Sequence, residues 1–439
     1  MKAAVVCTIA LPLDDDNDEA GAGVHLAEAA KKVLTSFLRH YQKLGFGRIF
    51  VFFDQLEVCE NHSLILLCKA VSVPEDGFYV HCFRRGDREI LRDQQHVCTL
   101  YKALATPGGA QDGGELAEND VPSRQRINVE YALYLASQKT EFAAKWILHV
   151  DLDELLVLPD GIDLSEHLLQ LEERSIGACK YVNHEGVPEQ DHIENFLEDI
   201  SLFKMNHLIL PMRADVGLAM KAWANRTDYG QYFLAYDNGK SMVRALPGIL
   251  PISVHSFSVP AYYNLRQVSN FRDLRDASHE FDKDIASDYS ILHFPVGGLE
   301  WLEWKYHQLG DFQESWRVNS ECSVPIAPCF HLSCKRSMAS CGHLQDIFKS
   351  QAKALDDVEA QLAVGVCFRV NNISTQKKET GGSVEIACDE FHQKQKSCAT
   401  DKTLQEQGNM ITSARENEVE AHLSYDKAWL LNNIARDFL

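Results

Sequence analysis

Three acidic residues, Asp151, Asp153 and Glu154, directly follow a short apolar run at residues 146–150. A run of this length predicts a strand that is buried on both faces, as in the middle of a parallel sheet. Residues two apart on an extended backbone project from the same face, so we expect the carboxylates of Asp151 and Asp153 to lie side by side. Glu154 would then point to the other face, where it supports the loop.

Two carboxylates beside an apolar strand repel each other unless a positive charge lies between them. Because oxygen ligands favour hard cations, Asp151 and Asp153 predict a site for Mn²⁺ or Mg²⁺. Such an ion keeps coordination positions for water or for substrate phosphates. The simpler alternative is a solvated acidic turn at the end of a strand, which the apolar residues on both sides of the motif disfavour.

The chain before this motif alternates between strand and helix patterns, which predicts an α/β domain. Apolar runs predict strands at 2–10, 48–53 and 77–83, and helical periodicity is present at 24–44, 62–71 and 124–139. Strand–helix–strand units imply parallel pairing, and open parallel sheets bind ligands at the carboxyl ends of their strands. Asp54 follows the second strand, so we expect it in the same crevice as the acidic motif. Considered alone, Asp54 is equally typical of a turn that ends a strand.

The alternation weakens after the acidic motif. We expect helices at 163–174, 300–310, 344–362 and 416–438, strands at 177–183, 241–246, 252–257 and 289–295, and a turn at 183–186. A Gly-rich loop at 106–123 and a polar linker at 371–409 lie between these elements. The patterns divide the chain into a main domain at 1–312 and a Cys-containing, partly helical extension at 313–439, whose function the sequence does not indicate.

The composition limits the classes of partner. The chain has 439 residues, 45% of them hydrophobic and 24% charged, as in globular proteins, and a net charge of −20. Binding to a nucleic-acid backbone needs clustered Lys and Arg, so we expect no nucleic-acid partner. No apolar run is long enough to predict a transmembrane segment. We expect a cytoplasmic protein if the chain is full length, and one of the Golgi or secretory lumen if an N-terminal anchor has been lost.

The cysteines do not settle the compartment. The chain has 13 of them and no Cys-x-x-Cys pair, which disfavours the common zinc and thioredoxin patterns. Those of the extension are dense, and disulfides, a non-standard zinc site and free thiols all remain open for them.

Five motifs follow each other along about the first 310 residues. They are His40-Tyr41-x-x-Leu44-Gly45 with the strand to Asp54, Trp146–Glu154, Gly239-Lys240-Ser241 with Arg244, Leu292-His293-Phe294-Pro295, and Trp304-Lys305-Tyr306-x-x-Leu309-Gly310. In this order they resemble the motifs of GT-A glycosyltransferases, most closely the family 2-like and family 92-like group. The resemblance implies a mostly parallel, Rossmann-like nucleotide-binding sheet with helices on both faces. It also implies a UDP- or GDP-sugar donor bound with a divalent metal, and a glycan, protein or small-molecule acceptor.

The resemblance assigns roles to residues of the expected crevice. It implies that Asp54 contacts the nucleoside, that Asp153 binds the metal directly, and that Asp151 contacts the ribose, the metal or a metal-bound water. His293 would complete the metal site, with His255 as the alternative. Without the resemblance, a single His between apolar residues is more typical of a protein core. The resemblance also assigns Lys240 and Arg244 to the diphosphate, although both could be ordinary surface residues of a strand.

An inverting glycosyltransferase, which the resemblance favours, needs a base that takes the proton of the acceptor hydroxyl. The candidates are Glu185, Asp191 and Asp215, and we favour Glu185 because it lies on a predicted turn beyond the acidic motif. Two features depart from the family pattern. An acidic segment at 14–19 replaces the usual Asn-Glu pair, and Gly297-Gly298 replaces a pair that is commonly basic or polar. Contacts to the base and to the acceptor are therefore expected to differ.

Two alternatives to a metal-dependent glycosyltransferase remain. A phosphoryl- or nucleotidyl-transferring α/β enzyme could use the same acidic strand, but Glu154 and the position of the motif a third of the way along the chain disfavour it. A non-catalytic sugar- or nucleotide-binding relative is the other alternative. The presence of Asp151, Asp153 and His293 disfavours this second reading.

Overall fold

The computed structural model describes residues 2–370 except for 14–21, 61, 105–120, 139, 272–279, 283–284, 286–287, 310–314, 318–322, 326–328 and 340–343. The linker predicted at 371–409 and the helix predicted at 416–438 lie outside the described residues. So does nearly all of the Gly-rich loop predicted at 106–123, although its last three residues belong to a helix.

The strands are β1 Ala3–Ile9, β2 Arg48–Phe53, β3 Tyr79–Arg84, β4 Trp146–His149, β5 Glu154–Val157, β6 Ile176–Gly186, β7 Leu202–Lys204, β8 Lys240–Arg244, β9 Leu250–Pro251, β10 Phe257–Ser258, β11 Arg266–Ser269, β12 Glu280–Phe281, β13 Ser290–His293, β14 Ser315–Arg317, β15 Ser323–Pro325 and β16 Cys367–Arg369. The α-helices are α1 Ala22–Lys43, α2 Ser63–Val71, α3 Arg88–Val97, α4 Thr99–Leu104, α5 Val121–Ser137, α6 Leu164–Glu173, α7 Phe196–Asp199, α8 Ala214–Ala224, α9 Leu299–Leu309, α10 Phe330–Ala339, α11 Leu344–Ile347 and α12 Val358–Val364, and a π-helical turn spans Phe348–Ala352.

A 12-stranded sheet organises the fold, and its main path runs β12-β11-β6-β8-β4-β1-β2-β3. The strands β4, β1, β2 and β3 are parallel to one another, whereas β8 is antiparallel to both of its neighbours, β4 and β6. The expected α/β class with a mostly parallel sheet is confirmed. Because β2 and β4 flank β1 and run in the same direction, their carboxyl ends share one edge of the sheet.

Helices cover both faces of the sheet, as the two-sided burial of β1 shows. Val5 and Cys7 of β1 belong to a core cluster with Phe37 of α1, whereas Val6 belongs to a second cluster with Ile127 of α5. Alternate residues of a strand point to opposite faces, so an uninterrupted apolar strand is what this arrangement requires. None of the helices in the described ranges has the length and apolar character needed to cross a bilayer.

The helix predicted at 344–362 is interrupted: α11 and the π-helical turn end at Ala352, and α12 begins only at Val358. The predictions of one turn and one strand are also wrong. The turn expected at 183–186 is instead the end of β6, which continues to Gly186 because it pairs there with β13 and β7. The strand expected at 252–257 is a hairpin: β9 pairs with β10, and 252–256 connect them. In both cases the partner strand, which local sequence does not reveal, decides where pairing begins and ends.

The described part of the predicted C-terminal extension packs on the main body. Strand β16 pairs with β7, and Phe368 joins the core cluster of the central sheet. Helices α10 and α11 pack with α9 through Phe330, Leu344 and Leu302. Residue 312 as a functional boundary stays a prediction, but the chain beyond it contributes a strand to the sheet.

Candidate active site

The acidic motif lies at the carboxyl end of β4, where the chain turns back. Residues 151–154 form a tight turn, closed by a hydrogen bond from the Glu154 amide to the Asp151 carbonyl oxygen of 3.1 Å, and β5 begins at Glu154. The extended conformation expected for this segment is therefore wrong, and the turn, not strand alternation, sets the direction of each carboxylate.

Lys240 binds two of the three carboxylates. Its Nζ atom lies 2.6 Å from Asp151 Oδ2 and 3.2 Å from Glu154 Oε2, and the side chains of Lys240 and Glu154 are 0% exposed. Lys240 reaches them because β8 pairs antiparallel with β4, with Met242 opposite Leu148. Glu154 Oε2 also accepts a hydrogen bond of 2.8 Å from the Asp151 amide, so Glu154 supports the turn.

This ion cluster shifts the pKa values of its members. Burial alone would lower the pKa of Lys240, but the carboxylates of Asp151 and Glu154 outweigh burial and raise it. Burial would raise the pKa of Asp151, but the charge and hydrogen bond of Lys240, together with His149 and His255, outweigh burial and lower that pKa. Burial raises the pKa of Glu154 well above its ordinary value, against the effect of Lys240. The Lys240 ammonium is therefore a fixed positive charge at neutral pH.

Asp153 points away from this cluster, toward β13 and α9. Its Oδ2 atom lies 3.8 Å from His293 Nε2 and 3.7 Å from Lys305 Nζ. The pairing of β13 with β5 places His293 opposite Glu154, and the Phe294 amide bonds to the Asp153 carbonyl oxygen at 2.8 Å. Burial lowers the pKa of His293 well below its ordinary value, with Lys305 acting in the same direction, so the imidazole is neutral.

An aromatic stack orients the two histidines predicted from the sequence. The Tyr236 ring stacks on His293 with ring centroids 4.6 Å apart, and its centroid lies 4.2 Å from that of His255. His255 lies in the β9–β10 loop, where its Nδ1 atom is 2.9 Å from the Gly239 carbonyl oxygen. The structure thus brings both histidines to the site, but Tyr236 separates His255 from His293.

The expected metal set of Asp151, Asp153 and His293 is not assembled. Asp151 is engaged on both oxygens, by Lys240 and by Gln125 Nε2 at 2.7 Å, and no group of three His, Cys, Asp or Glu side chains in the described ranges could hold an ion. The pair Asp153–His293 does fit: it offers a carboxylate and a neutral imidazole 3.8 Å apart. Two ligands that each bind an ion at about 2.1 Å lie at most about 4.2 Å apart, so His293 Nε2 and Asp153 Oδ2 are close enough to share one ion.

The start of α5 links the ends of β2 and β4. Arg124 donates two hydrogen bonds to Asp54, of 2.7 and 2.6 Å, and the next residue, Gln125, binds Asp151. Two consecutive residues of α5 thus connect Asp54 with Asp151. A cleft beside Asp54 is lined by Phe52, Arg84, Arg85, Tyr101 and Arg124 among others. Asp54 enters this cleft as half of a bidentate ion pair.

Arg244 does not reach the site. It pairs with Trp146 at the amino end of β4, and its guanidinium lies 6.0 Å from the centroid of the Trp146 ring. Four residues of strand, about 13 Å, separate it from Lys240. The structure therefore gives Arg244 a packing role beside Trp146 and does not place it near a diphosphate in the crevice.

Glu185, the favoured base candidate, is locked in a buried ion pair. It is 1% exposed, forms a salt bridge with Lys204, and accepts hydrogen bonds from the amides of Leu234 at 3.0 Å and Ala235 at 2.7 Å. Both carboxylate oxygens are occupied, which leaves no lone pair directed at a substrate. The turn that suggested a catalytic role does not exist, since Glu185 lies within β6.

The other base candidates are also engaged elsewhere. Asp191 forms a salt bridge of 2.5 Å with Lys353, and the hydrogen bond from Lys353 lowers its pKa. Asp215 lies on the exposed first turn of α8 and pairs with Arg213, whose hydrogen bond lowers its pKa. Neither is brought to the acidic motif, so the structure favours none of the three as a base.

Three residues of the site were given no role by the sequence. Lys305 belongs to the Trp304-Lys305-Tyr306 motif, which follows the motif of His293 along the chain. This proximity in sequence was the signal that could have assigned Lys305 to the site. Gln125 and Tyr236 carry no local signal, because their positions depend on the packing of α5 and of the loop before β8.

Parts of the chain are similar to known proteins. Two curated proteins of Arabidopsis thaliana are described as glycosyltransferase-like. The first is 30% identical over 157 residues, which are 35% of this chain and 32% of that relative. The second is 28% identical over 158 residues, which are 35% of this chain and 28% of that relative. The match thus covers less than a third of each relative. The structure of a mannosyltransferase of S. cerevisiae aligns with 43% of this chain and 40% of its own, at 8% identity and a TM-score of 0.23. A TM-score this low supports no conclusion about the fold or the function. No protein-family profile matches the chain.

Proposed function

We propose that the chain is a glycosyltransferase that moves a sugar from a nucleotide-sugar donor to an acceptor hydroxyl. The observation that carries this proposal is the convergence of Asp153, His293 and Lys305 after the carboxyl end of β4, in the turn that Gln125 and Arg124 link to Asp54. Open sheets of this kind bind nucleotides at that edge. The relatives described as glycosyltransferase-like support glycosyl transfer as the general class of reaction.

The proposed reaction breaks the bond between the anomeric carbon and the diphosphate, so charge develops on the leaving oxygen. Asp153 and His293 would hold a divalent cation, manganese or magnesium, which would supply Lewis-acid stabilisation of that oxygen. The Lys305 side chain is 35% exposed, and its Nζ atom lies 3.7 Å from Asp153 Oδ2. Its ammonium can therefore bind the diphosphate next to the cation that Asp153 would hold. Inversion at the anomeric carbon is proposed on the resemblance to the family 2-like group.

Asp54 and Arg124 would bind the nucleoside. Because Arg124 holds both oxygens of Asp54, the carboxylate has a fixed orientation at the mouth of the cleft. Its remaining lone pairs can accept hydrogen bonds from ribose hydroxyls, and the Phe52 and Tyr101 rings that line the cleft can pack against a base.

Donor binding is tested by thermal unfolding with UDP- and GDP-sugars, with and without Mn²⁺, and turnover by release of the free nucleotide. We expect metal-dependent stabilisation by at least one donor, its loss in Asp153→Asn, and its retention in Asp160→Asn, an exposed carboxylate of the same segment. If no nucleotide sugar stabilises the protein, the proposal fails. Release of inorganic phosphate from a phosphate ester would instead indicate a phosphoryl-transferring enzyme.

A further inference from the structure

We propose that Lys240 is a positioning residue that acts as an internal counter-cation: it holds Asp151 and Glu154 on its ammonium and leaves Asp153 with His293 to bind an external cation. This inference rests on the proposed site and changes the role of Lys240. A lysine that binds a diphosphate must expose its ammonium to the crevice, whereas the Lys240 side chain is 0% exposed.

The contacts of Asp151 and Glu154 are directed inward. Asp151 accepts from Gln125 on one oxygen and from Lys240 on the other, at 2.7 and 2.6 Å. Glu154 accepts from the Asp151 amide at 2.8 Å and lies 3.2 Å from the Lys240 ammonium. The Lys240 Nζ atom thus occupies the position between two carboxylates in which a metal ion would otherwise lie. The side chains of Asp151 and Asp153 are similarly exposed, 26% and 23%, but both oxygens of Asp151 are engaged by Lys240 and Gln125, whereas Asp153 lies beside His293.

The backbone fixes Lys240 in this position from both sides. Gly239, the residue before it, has φ of +67°, and a Cβ atom there would lie 1.8 Å from the Tyr181 carbonyl oxygen. The Gly239 amide donates to Asn183 Oδ1 at 3.0 Å, and β8 then pairs with β6 and β4. The Tyr236 ring centroid lies 5.3 Å from the ammonium. The backbone of Lys240 is therefore held at the start of β8, from which its side chain reaches the cluster.

Charge explains what Lys240 does for the site. Asp151 and Glu154 are adjacent carboxyl groups, and Glu154 is 0% exposed, so a charged pair at this turn requires compensation by a cation. A covalently attached ammonium supplies it at every metal concentration and keeps these carboxylates from competing with Asp153 for the external ion. Removal of the ammonium leaves two carboxylates around a vacant position, which is the donor set of a new divalent site.

The experiment counts Mn²⁺ bound to the full chain without any nucleotide, by electron paramagnetic resonance titration, and follows thermal unfolding in parallel. We expect Lys240→Met to bind one Mn²⁺ more per chain than the wild type, and its unfolding temperature to rise with Mn²⁺ more steeply. Lys145→Met removes an equally charged but 65% exposed side chain from the other end of β4 and should bind the wild-type number.

A purely structural role for Lys240 would destabilise Lys240→Met without changing its Mn²⁺ count, and this result would overturn the inference. The double variant Lys240→Met with Glu154→Gln carries one carboxylate fewer, so it should fold more stably than Lys240→Met and lose the additional ion. If Lys240→Met folds only in Mn²⁺, the inference is supported; if the double variant is as unstable as the single one, it is wrong. Because no donor is present, these outcomes are independent of whether the chain transfers a sugar.

Discussion

Glu185→Gln separates a structural from a catalytic role for the residue that the sequence favoured as the base. Glu185 and Lys204 are both nearly fully buried and ion-paired. The Lys204 ammonium also donates to the Tyr232 carbonyl oxygen at 2.7 Å and lies 5.1 Å from the centroid of the Trp223 ring. The pair thus joins β6 and β7 to the segment before β8. Because both side chains are buried, neither is accessible to an acceptor.

The magnitude follows from the burial of the pair. Replacing the carboxylate by an amide leaves the buried Lys204 ammonium without a counter-charge, which typically destabilises a protein by about 3–5 kcal/mol. The Tyr232 carbonyl and the surrounding rings remain, so we expect the lower part of this range. A general base contributes about 10²- to 10⁴-fold to the rate, whereas a structural residue leaves the turnover of folded molecules unchanged.

The assay is urea unfolding at pH 7 together with donor turnover per folded molecule. The control is Glu189→Gln, three residues after the end of β6, which breaks the exposed ion pair of Glu189 with Arg369. It should lower the free energy of unfolding by less than about 1 kcal/mol. Adding Lys204→Met to Glu185→Gln should recover part of the lost stability, because it removes the unpaired charge. Wild-type stability of Glu185→Gln with turnover lost at least a hundredfold would refute this reasoning and restore Glu185 as the base.

Three further perturbations test other parts of the site. Lys305→Met should weaken donor binding by roughly ten- to a hundredfold in calorimetry, the loss typical of a hydrogen bond to a charged group, and unchanged affinity would exclude its contact with the diphosphate. Asp54→Asn should weaken the bidentate pair with Arg124 and lower the affinity for the nucleoside diphosphate; an equal loss for an inorganic diphosphate would argue against nucleoside recognition. Burial lowers the pKa of His184 to about 3, below its unfolded value near 6.5, so its contribution to stability is complete above pH 6.5 and is lost as the pH falls toward 3. Unfolding measured from pH 7 to 4 should therefore depend less steeply on pH in His184→Gln, and an unchanged slope would contradict this.

The strands that carry the site were predictable where burial on both faces leaves a continuous apolar run. Strand β2 has the predicted bounds, β1 is one residue shorter than predicted at each end, and β4 ends one residue earlier than predicted. The common edge of Asp54 and Asp151 followed from parallel pairing alone. Helix α3 was not predicted because its residues are mostly polar or charged, although Asp87 caps its first turn by accepting from the amides of Glu89 and Ile90.

What could not be predicted depends on pairing between distant segments. The position of Lys240 follows from the antiparallel register of β8 with β4, and that of Glu185 from the extension of β6 along β13. Local sequence reveals neither register, and a shift of one residue would move each side chain to the other face. The roles assigned to Lys240 and Glu185 were inferred from residue type at a strand end, but their burial makes both of them ion-pair partners.

The acidic motif can fold as a tight turn because lysines from two other elements surround it. Asp151, Asp153 and Glu154 bring three carboxyl groups together, and Lys240 of β8 and Lys305 of α9 lie within 2.6–3.7 Å of their oxygens. The Lys240 side chain is 0% exposed and the Lys305 side chain is 35% exposed, so the two lysines have different roles. Lys240 is the cation for the buried Glu154 and for Asp151, which is 26% exposed, so the turn does not need a ligand to form. Lys305 and Asp153 remain at the crevice with opposite charges. In the proposed function the Lys305 ammonium binds a diphosphate and the Asp153 carboxylate binds a divalent cation, and neither ligand disturbs the buried pair of Lys240 and Glu154.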